Sequence, residues 1–174
     1  MPTLENQVAV VTGAGRGIGR AIALAFARAG AAVVCTARTT SEIEETASLI
    51  QAEGWNAIAV GADVTAAAAI ELLFSATSAR FGGLDILVVN AGVSGEHLRV
   101  DESQPEEWIS TLTVNLVGAY LCAKAAIPYF RARGAGKIIM LGSAGTSRPA
   151  GDLCLRMLEG GPLDAHARAG AGAN

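Results

Sequence analysis

Residues 7–19 read Gln7-Val8-Ala9-Val10-Val11-Thr12-Gly13-Ala14-Gly15-Arg16-Gly17-Ile18-Gly19, an apolar run that breaks into alternate glycines. An unbroken apolar run of this length suits a strand buried on both faces. The residues from about Gly17 to Ala29 then suit a helix, which Gly30 ends as a C′ glycine does. Glycines are needed between such a strand and helix where the backbone must turn tightly and let a pyrophosphate approach. The helix N-terminus offers free N–H groups and the positive end of its dipole, so the junction is a dinucleotide-binding candidate.

The same alternation continues outward as far as Gly142. Ala31–Thr36 and Asn56–Gly61 read as the next strands. Between them a helix opens at Ser41, with Glu44 at capping-box spacing, and stops at Gly54. Thr65 is expected to cap an Ala-rich helix that ends near Phe81-Gly82-Gly83. Leu84–Asn90 is a fourth strand. Ser103 with Glu106 opens a long helix through roughly Arg133, and Lys137–Leu141 is a fifth strand. Strands of this kind, separated by helices, pair in parallel through right-handed crossovers. The predicted fold is therefore α/β, a doubly wound parallel sheet in three α/β/α layers. Its ligand crevice falls between the first and fourth strands, where the strand order reverses. Residues 1–150 are expected to form this domain. Residues 151–174 have no sustained period and read as an irregular tail.

Composition narrows the function classes. The chain has 174 residues, 51% hydrophobic but only 5% aromatic, as expected where small residues let helices lie close on a sheet. A net charge of −3 gives no reason to expect nucleic acid or an anionic membrane as a partner. The first residues carry no export signal, and no apolar run reaches the roughly 20 residues that span a bilayer. Cys35, Cys122 and Cys154 are widely spaced, and free thiols in a reducing cytoplasm are expected. His97 and His166 are isolated, so no metal site is expected.

The spacing Thr12-Gly13-x-x-x-Gly17-Ile18-Gly19 resembles the short-chain dehydrogenase/reductase family, and the likeness extends over about residues 4–150. It implies a Rossmann-type fold and hydride transfer between a nicotinamide cofactor and a carbonyl or alcohol substrate, in the manner of ketoacyl reductases. Thr12, Gly13, Arg16, Gly17, Ile18 and Gly19 then belong to the cofactor site. Asp63-Val64 resembles the family's adenine-contacting pair, although an Asp before Thr65 also suits a helix cap. Asn90-Ala91-Gly92 resembles the motif that ends the fourth strand, with Val89 where an asparagine is usual. Asn115 matches the family's structural and catalytic asparagine. Ser143 matches the serine that hydrogen-bonds the substrate carbonyl. An intact member is expected to form a homo-oligomer.

Charge bears on the choice of cofactor. In this fold an acid at the end of the second strand binds the ribose 2′-OH of NAD, and a basic residue accommodates the 2′-phosphate of NADP. Here the strand ends Cys35-Thr36-Ala37-Arg38, and Arg16 adds a second cation. Arginine suits phosphate through paired hydrogen bonds. NADP is expected in preference to NAD.

The family's proton-transferring Tyr-x-x-x-Lys pair should follow the serine by about a dozen residues. Residues 144–174 contain neither tyrosine nor lysine. Tyr120 and Lys124 have the spacing but precede Ser143, so they are expected to be helix packing with a snorkelling lysine. Tyr129 is expected in the core or an interface. Two readings stand side by side: an NADP-dependent oxidoreductase, or a non-catalytic dinucleotide-binding fragment or frameshifted, inactive gene product. In support of the second, a frame starting one nucleotide later at Asp152 permits Tyr-Ala-Cys-Ser-Lys followed by an amphipathic helix. Its tyrosine would straddle Leu155 and Arg156, and its lysine Glu159 and Gly160.

Overall fold

The computed structural model describes residues 3–96 and 98–142; His97, Ser143, Cys154, His166 and the whole tail segment 151–174 lie outside them. Val8–Thr12 forms β1, and every one of its residues is buried. It is followed by α1 (Gly17–Arg28), β2 (Ala32–Ala37), α2 (Thr40–Ala52), β3 (Ala57–Gly61), α3 (Ala67–Phe81) and β4 (Ile86–Val89). Next come α4 (Pro105–Leu112), a π-helical segment (Thr113–Val117), α5 (Gly118–Arg133) and β5 (Lys137–Met140). The strands form one sheet in the order β3-β2-β1-β4-β5, all parallel. Val10 lies opposite Val34 on one side and Leu87 on the other. The order reverses at β1, which opens the expected crevice between β1 and β4.

Successive side chains of a strand face opposite ways, and the core divides accordingly. Ala9, Val11, Val33 and Cys35 pack with Ala23 and Ala27 of α1 and with Ile43, Ala47 and Ile50 of α2. Val10, Val34 and Leu87 pack with Ile70, Leu73 and Phe74 of α3 and with Cys122, Ala126 and Phe130 of α5. The alanines of α1 bring that helix, and so the glycine turn, close to the sheet. Truncating Leu87 or Phe74 to alanine would cost about 2–5 kcal/mol in lost burial and cavity formation. Cys35 and Cys122 are free thiols, and burial pushes them up to about 12 and about 11 respectively. At the opposite end of the sheet from the glycines, Asp85 accepts the Val8 N–H at 2.8 Å and pairs with Arg133 at 2.9 Å.

Several local expectations are corrected. Ser41 lies inside α2, whose N-cap is Thr39 with no side-chain cap bond. Thr65 does not cap α3, which starts after Ala66. Instead Asp63 Oδ1 accepts the Thr65 N–H and hydroxyl at 2.9 and 2.8 Å, closing an Asx turn ahead of the helix. Ser103 turns its hydroxyl back to the Val100 carbonyl, and Pro105 occupies the first turn of α4. Burial on both faces holds for β1 and β4, but all four residues of β5 are exposed among the described residues.

The long helix has a length that no unbroken apolar run of the sequence shows. Pro105–Arg133 runs continuously for 29 residues with a window of mean hydropathy 1.3, long and apolar enough to cross a membrane by length and composition. Interleaved alanine, glycine and threonine hide that length from a search for unbroken apolar runs. One stripe of it, Cys122, Ala126 and Phe130, is buried on the sheet, while Leu116, Val117, Tyr120 and Ile127 are exposed.

Candidate functional site

At the C-terminal ends of β1, β2 and β4 the glycine turn lines a cavity of about 330 Å³. Gly13, Gly15, Arg16, Ile18 and Gly19 form its floor, and Ala37, Arg38, Thr39 and Glu42 form the side towards β2. Ala62, Val64, Asn90, Ala91, Gly92, Val93 and Val114 complete the walls. A second cavity of about 400 Å³ shares Ile18 and residues 90–93, then continues past Asn115, Leu116 and Ala119 to Met140, Leu141 and Gly142. The two form one crevice running across the switch point.

The glycines have steric reasons to be there. Gly13 has φ +65°, and a Cβ on it would stand 2.8 Å from Asn90 Nδ2. A Cβ on Gly19 would collide with the Gly13 carbonyl oxygen and with Asn90 Nδ2, so α1 can start only this close to the turn without a side chain. The cradle is a space that any larger residue would fill, and its N–H groups face the start of a helix whose dipole favours an anion. Gly17, at φ +55°, has open space around it and does not line the cavity.

Thr12 and Asn90 fix the crevice rather than merely bordering it. Thr12 Oγ1 accepts the backbone N–H groups of Asn90 and Ala91, each at 2.9 Å, and donates to the Val88 carbonyl at 3.3 Å. Asn90 Nδ2 donates to the Thr12 carbonyl at 2.9 Å and the Gly13 carbonyl at 3.3 Å. Thr12 is fully buried and does not line the cavity, so its place is a brace between β1 and β4.

Sequence reasoning missed a second brace, formed by α2. Thr46 Oγ1 lies 3.0 Å from the carbonyl oxygens of Ala14 and Glu42. Arg20 Nε donates to the Gly15 carbonyl at 2.9 Å, while its Nη2 reaches Glu45 at 2.7 Å. The Ala14 carbonyl is thus tied to α2 directly and the Gly15 carbonyl through Arg20 of α1, while the Ala14 N–H donates to the Thr36 carbonyl at 3.1 Å. The signal available was helical spacing: Glu42 and Thr46 lie one turn apart on α2, as do Arg16 and Arg20 at the start of α1.

Arg16 and Arg38 both line the cavity, and their side chains make no hydrogen bond or ion pair among the described residues. Arg38 is close enough to Asp63 to affect its ionisation. The Asp63 carboxyl is held below the usual carboxylate range by the Thr65 backbone N–H, then by the Thr65 hydroxyl, with a smaller contribution from Arg38. Asp63 itself stands behind the wall that Ala62 and Val64 form. One of its oxygens is taken by Thr65.

Asn115 lies in the π-helical segment, which widens one turn of the long helix. Its Oδ1 accepts the Val93 N–H at 2.8 Å and its Nδ2 donates to the Val93 carbonyl at 2.8 Å. The loop after β4 is therefore pinned to the helix by a two-point amide pair. Gly118, immediately after, lets the helix approach the turn after β3, where a Cβ would stand 2.8 Å from Val64 Cγ2. Tyr120 is exposed, with Lys124 Nζ 5.8 Å from its ring centroid, so the expectation that it packs in the structure is corrected. Tyr129 does pack, its ring 5.9 Å from that of Phe74. Gly142 is the last described residue lining the second cavity, and Ser143 lies outside the described residues.

Residues 7–154 match the family model described as short chain dehydrogenase. The chain belongs to the short-chain dehydrogenase family. It is 38% identical over 144 residues to the 3-oxoacyl-[acyl-carrier-protein] reductase of Synechocystis, covering 82% of this chain and 58% of that protein. The chain thus spans less than two thirds of that relative's length. Among solved structures it is similar to a 3-ketoacyl-ACP reductase from Sinorhizobium meliloti, with a TM-score of 0.84 and 38% identity over 88% of this chain and 61% of that one. A metagenomic short-chain oxidoreductase solved in complex with NADP gives a TM-score of 0.81 at 36% identity, covering 89% of this chain and 70% of the other. Members of this short-chain dehydrogenase family bind NAD or NADP, and the glycine cradle with its two unpaired guanidinium groups has the donor set such a dinucleotide needs.

Proposed function

We propose that this short-chain dehydrogenase site takes NADP(H) in preference to NAD(H), for hydride exchange with a small carbonyl or alcohol compound. The observation that carries this reading is the pair Arg16 and Arg38, both lining the cavity and both unpaired, beside an Ala37 that offers no acid to a 2′-hydroxyl. Two arginines can hold a phosphate by charge-assisted hydrogen bonds, and guanidinium remains charged at any working pH. The solved relative with NADP and the ketoacyl reductases among the relatives support the same choice.

The chain's own residues have separable tasks. Glycine N–H groups at the start of α1 would bind the pyrophosphate, while Thr12, Asn90, Arg20 and Thr46 hold that turn in shape. Ala62 and Val64 offer an apolar wall to the adenine, with Asp63 behind them. Asn90, Ala91 and Gly92 border the passage from the first cavity to the second. The bound nicotinamide would supply or accept the hydride there. Asn115 fixes the Val93 segment of that wall, and Ser143 is proposed to hydrogen-bond the substrate carbonyl. Proton transfer needs a further group, which residues 144–174 do not provide as a tyrosine–lysine pair.

The test is direct titration of the chain with NADPH and NADH, before and after Arg38→Asp. NADPH should bind more tightly to the parent, and the substitution should reverse the order by removing a cation and adding a repelling acid. Equal affinities on both sides of the substitution would defeat the assignment.

A further inference from the structure

The cavity's β2 side holds a charge that the arginines do not explain. Glu42, in the first turn of α2, lines it together with Arg16, Ala37 and Arg38. A first-turn acid favours the helix dipole wherever its side chain points, but this one is packed against the glycine turn. A Cβ on Gly15 would stand 2.7 Å from Glu42 Cβ and 2.8 Å from its Oε2. The backbone behind it is fixed as well: the Glu42 carbonyl faces Thr46 Oγ1 at 3.0 Å and Arg20 Nη2 at 3.5 Å. Its carboxylate makes no hydrogen bond or ion pair among the described residues, although Arg16 and Arg38 line the same space. Three charged side chains thus surround one end of the crevice without neutralising one another in close pairs.

We propose that Glu42 is a specificity-determining carboxylate at the adenosine end of this cavity, accepting a ribose hydroxyl of NAD(H) and opposing the 2′-phosphate of NADP(H). The inference rests on the cofactor reading given above and deepens it. The usual place for such an acid, the end of β2, holds Ala37, so the acid is supplied one turn into the next helix. Arg16 and Arg38 favour the phosphorylated cofactor, Glu42 restrains that preference, and the site accepts both cofactors with a bias towards NADP(H). A carboxylate accepts hydrogen bonds only, so it can reward a ribose hydroxyl but offers nothing to a phosphate oxygen. Gly15 has no Cβ because the carboxylate side chain occupies that space.

The experiment compares the affinities of NADPH and NADH for the full chain and for Glu42→Gln, with circular dichroism to confirm that both are folded. Glutamine keeps the shape and removes the charge. Removing one like charge at a solvent-accessible site should raise NADPH affinity about threefold to tenfold. Losing the charge-assisted acceptor should weaken NADH about threefold or more. Glu42→Asp, which keeps the charge on a shorter arm, should leave NADPH binding near the parent value and weaken NADH alone. The same measurements at high salt should shrink the NADPH gain, because a screened charge opposes phosphate less. A parent and Glu42→Gln that bind both cofactors in an unchanged ratio would overturn this proposal and leave the cofactor reading standing. A parent that binds neither cofactor would overturn both. If Glu42→Gln does not fold, Glu42→Asp decides: an unaltered NADH affinity in that variant would count against the carboxylate's role.

Discussion

Replacing Thr12 by valine separates bracing from binding at this site. Valine has nearly the same volume as threonine, so the change removes one hydroxyl from a fully buried position without opening a cavity. That hydroxyl accepts two backbone N–H groups, from Asn90 and Ala91, at 2.9 Å each. Its own donation to Val88, at 3.3 Å, is the longest of the three and contributes least. Leaving a buried donor without a partner costs about 1–3 kcal/mol. Both donors are only partly buried, which places each near the lower end, and the sum comes to about 2–3 kcal/mol. Against a typical domain stability of about 5–15 kcal/mol, that is a large loss. Urea denaturation should show a lower midpoint with an unchanged slope. Thr12→Ser keeps the acceptor and should recover most of the stability, whereas Thr12→Ala should resemble Thr12→Val with a further loss from the missing methyl. Nucleotide affinity, measured where each variant is folded, should change little, since Thr12 does not line the cavity. Equal stability for Thr12→Val and the parent, or serine as damaging as valine, would refute the bracing role.

Gly19→Ala should abolish nucleotide binding and lower the melting temperature, because its methyl would collide with the Gly13 carbonyl and the Asn90 amide; an unaltered titration would show that the turn has slack. Burial raises the Asp85 carboxyl, but the hydrogen bonds from Arg133 and Val8 outweigh it, and the net position is below the usual 3.8. Its contribution to stability is therefore complete above that ordinary value and is lost as pH falls through the lower folded value. Asp85→Asn should flatten the acid side of a stability–pH profile, and a profile identical to the parent's would contradict this.

The fold was readable because its two strongest signals are local. Unbroken apolar runs at Val8–Thr12 and Ile86–Val89 mark strands covered on both faces, and glycines at positions 30, 54 and 82 adopt the positive φ that ends each helix. Helix starts were less readable. The S-x-x-E spacing at Ser41 and at Ser103 recurs wherever polar residues crowd a first turn, and the chain chose Thr39 and Gln104 as caps instead. The π-helical segment left no pattern, since a single wide turn shifts the helical phase without changing composition. Asn115 was nevertheless legible through the resemblance to the family's asparagine, and an asparagine inside a long helix is unfavourable by propensity alone. Glu42, Arg20 and Thr46 went unnoticed for a different reason: their importance comes from how α2 sits on the glycine turn, a tertiary relation that no single segment encodes.

Hydrogen exchange of the chain with and without saturating NADPH tests the central claim most directly, namely that residues far apart in sequence converge on one dinucleotide crevice. Protection should rise together in residues 13–19, 37–42 and 90–93, and remain unchanged in the groove between α3 and α5 that Ile70, Leu121 and Tyr129 line. Protection confined to that groove, or none in the glycine turn, would contradict the account.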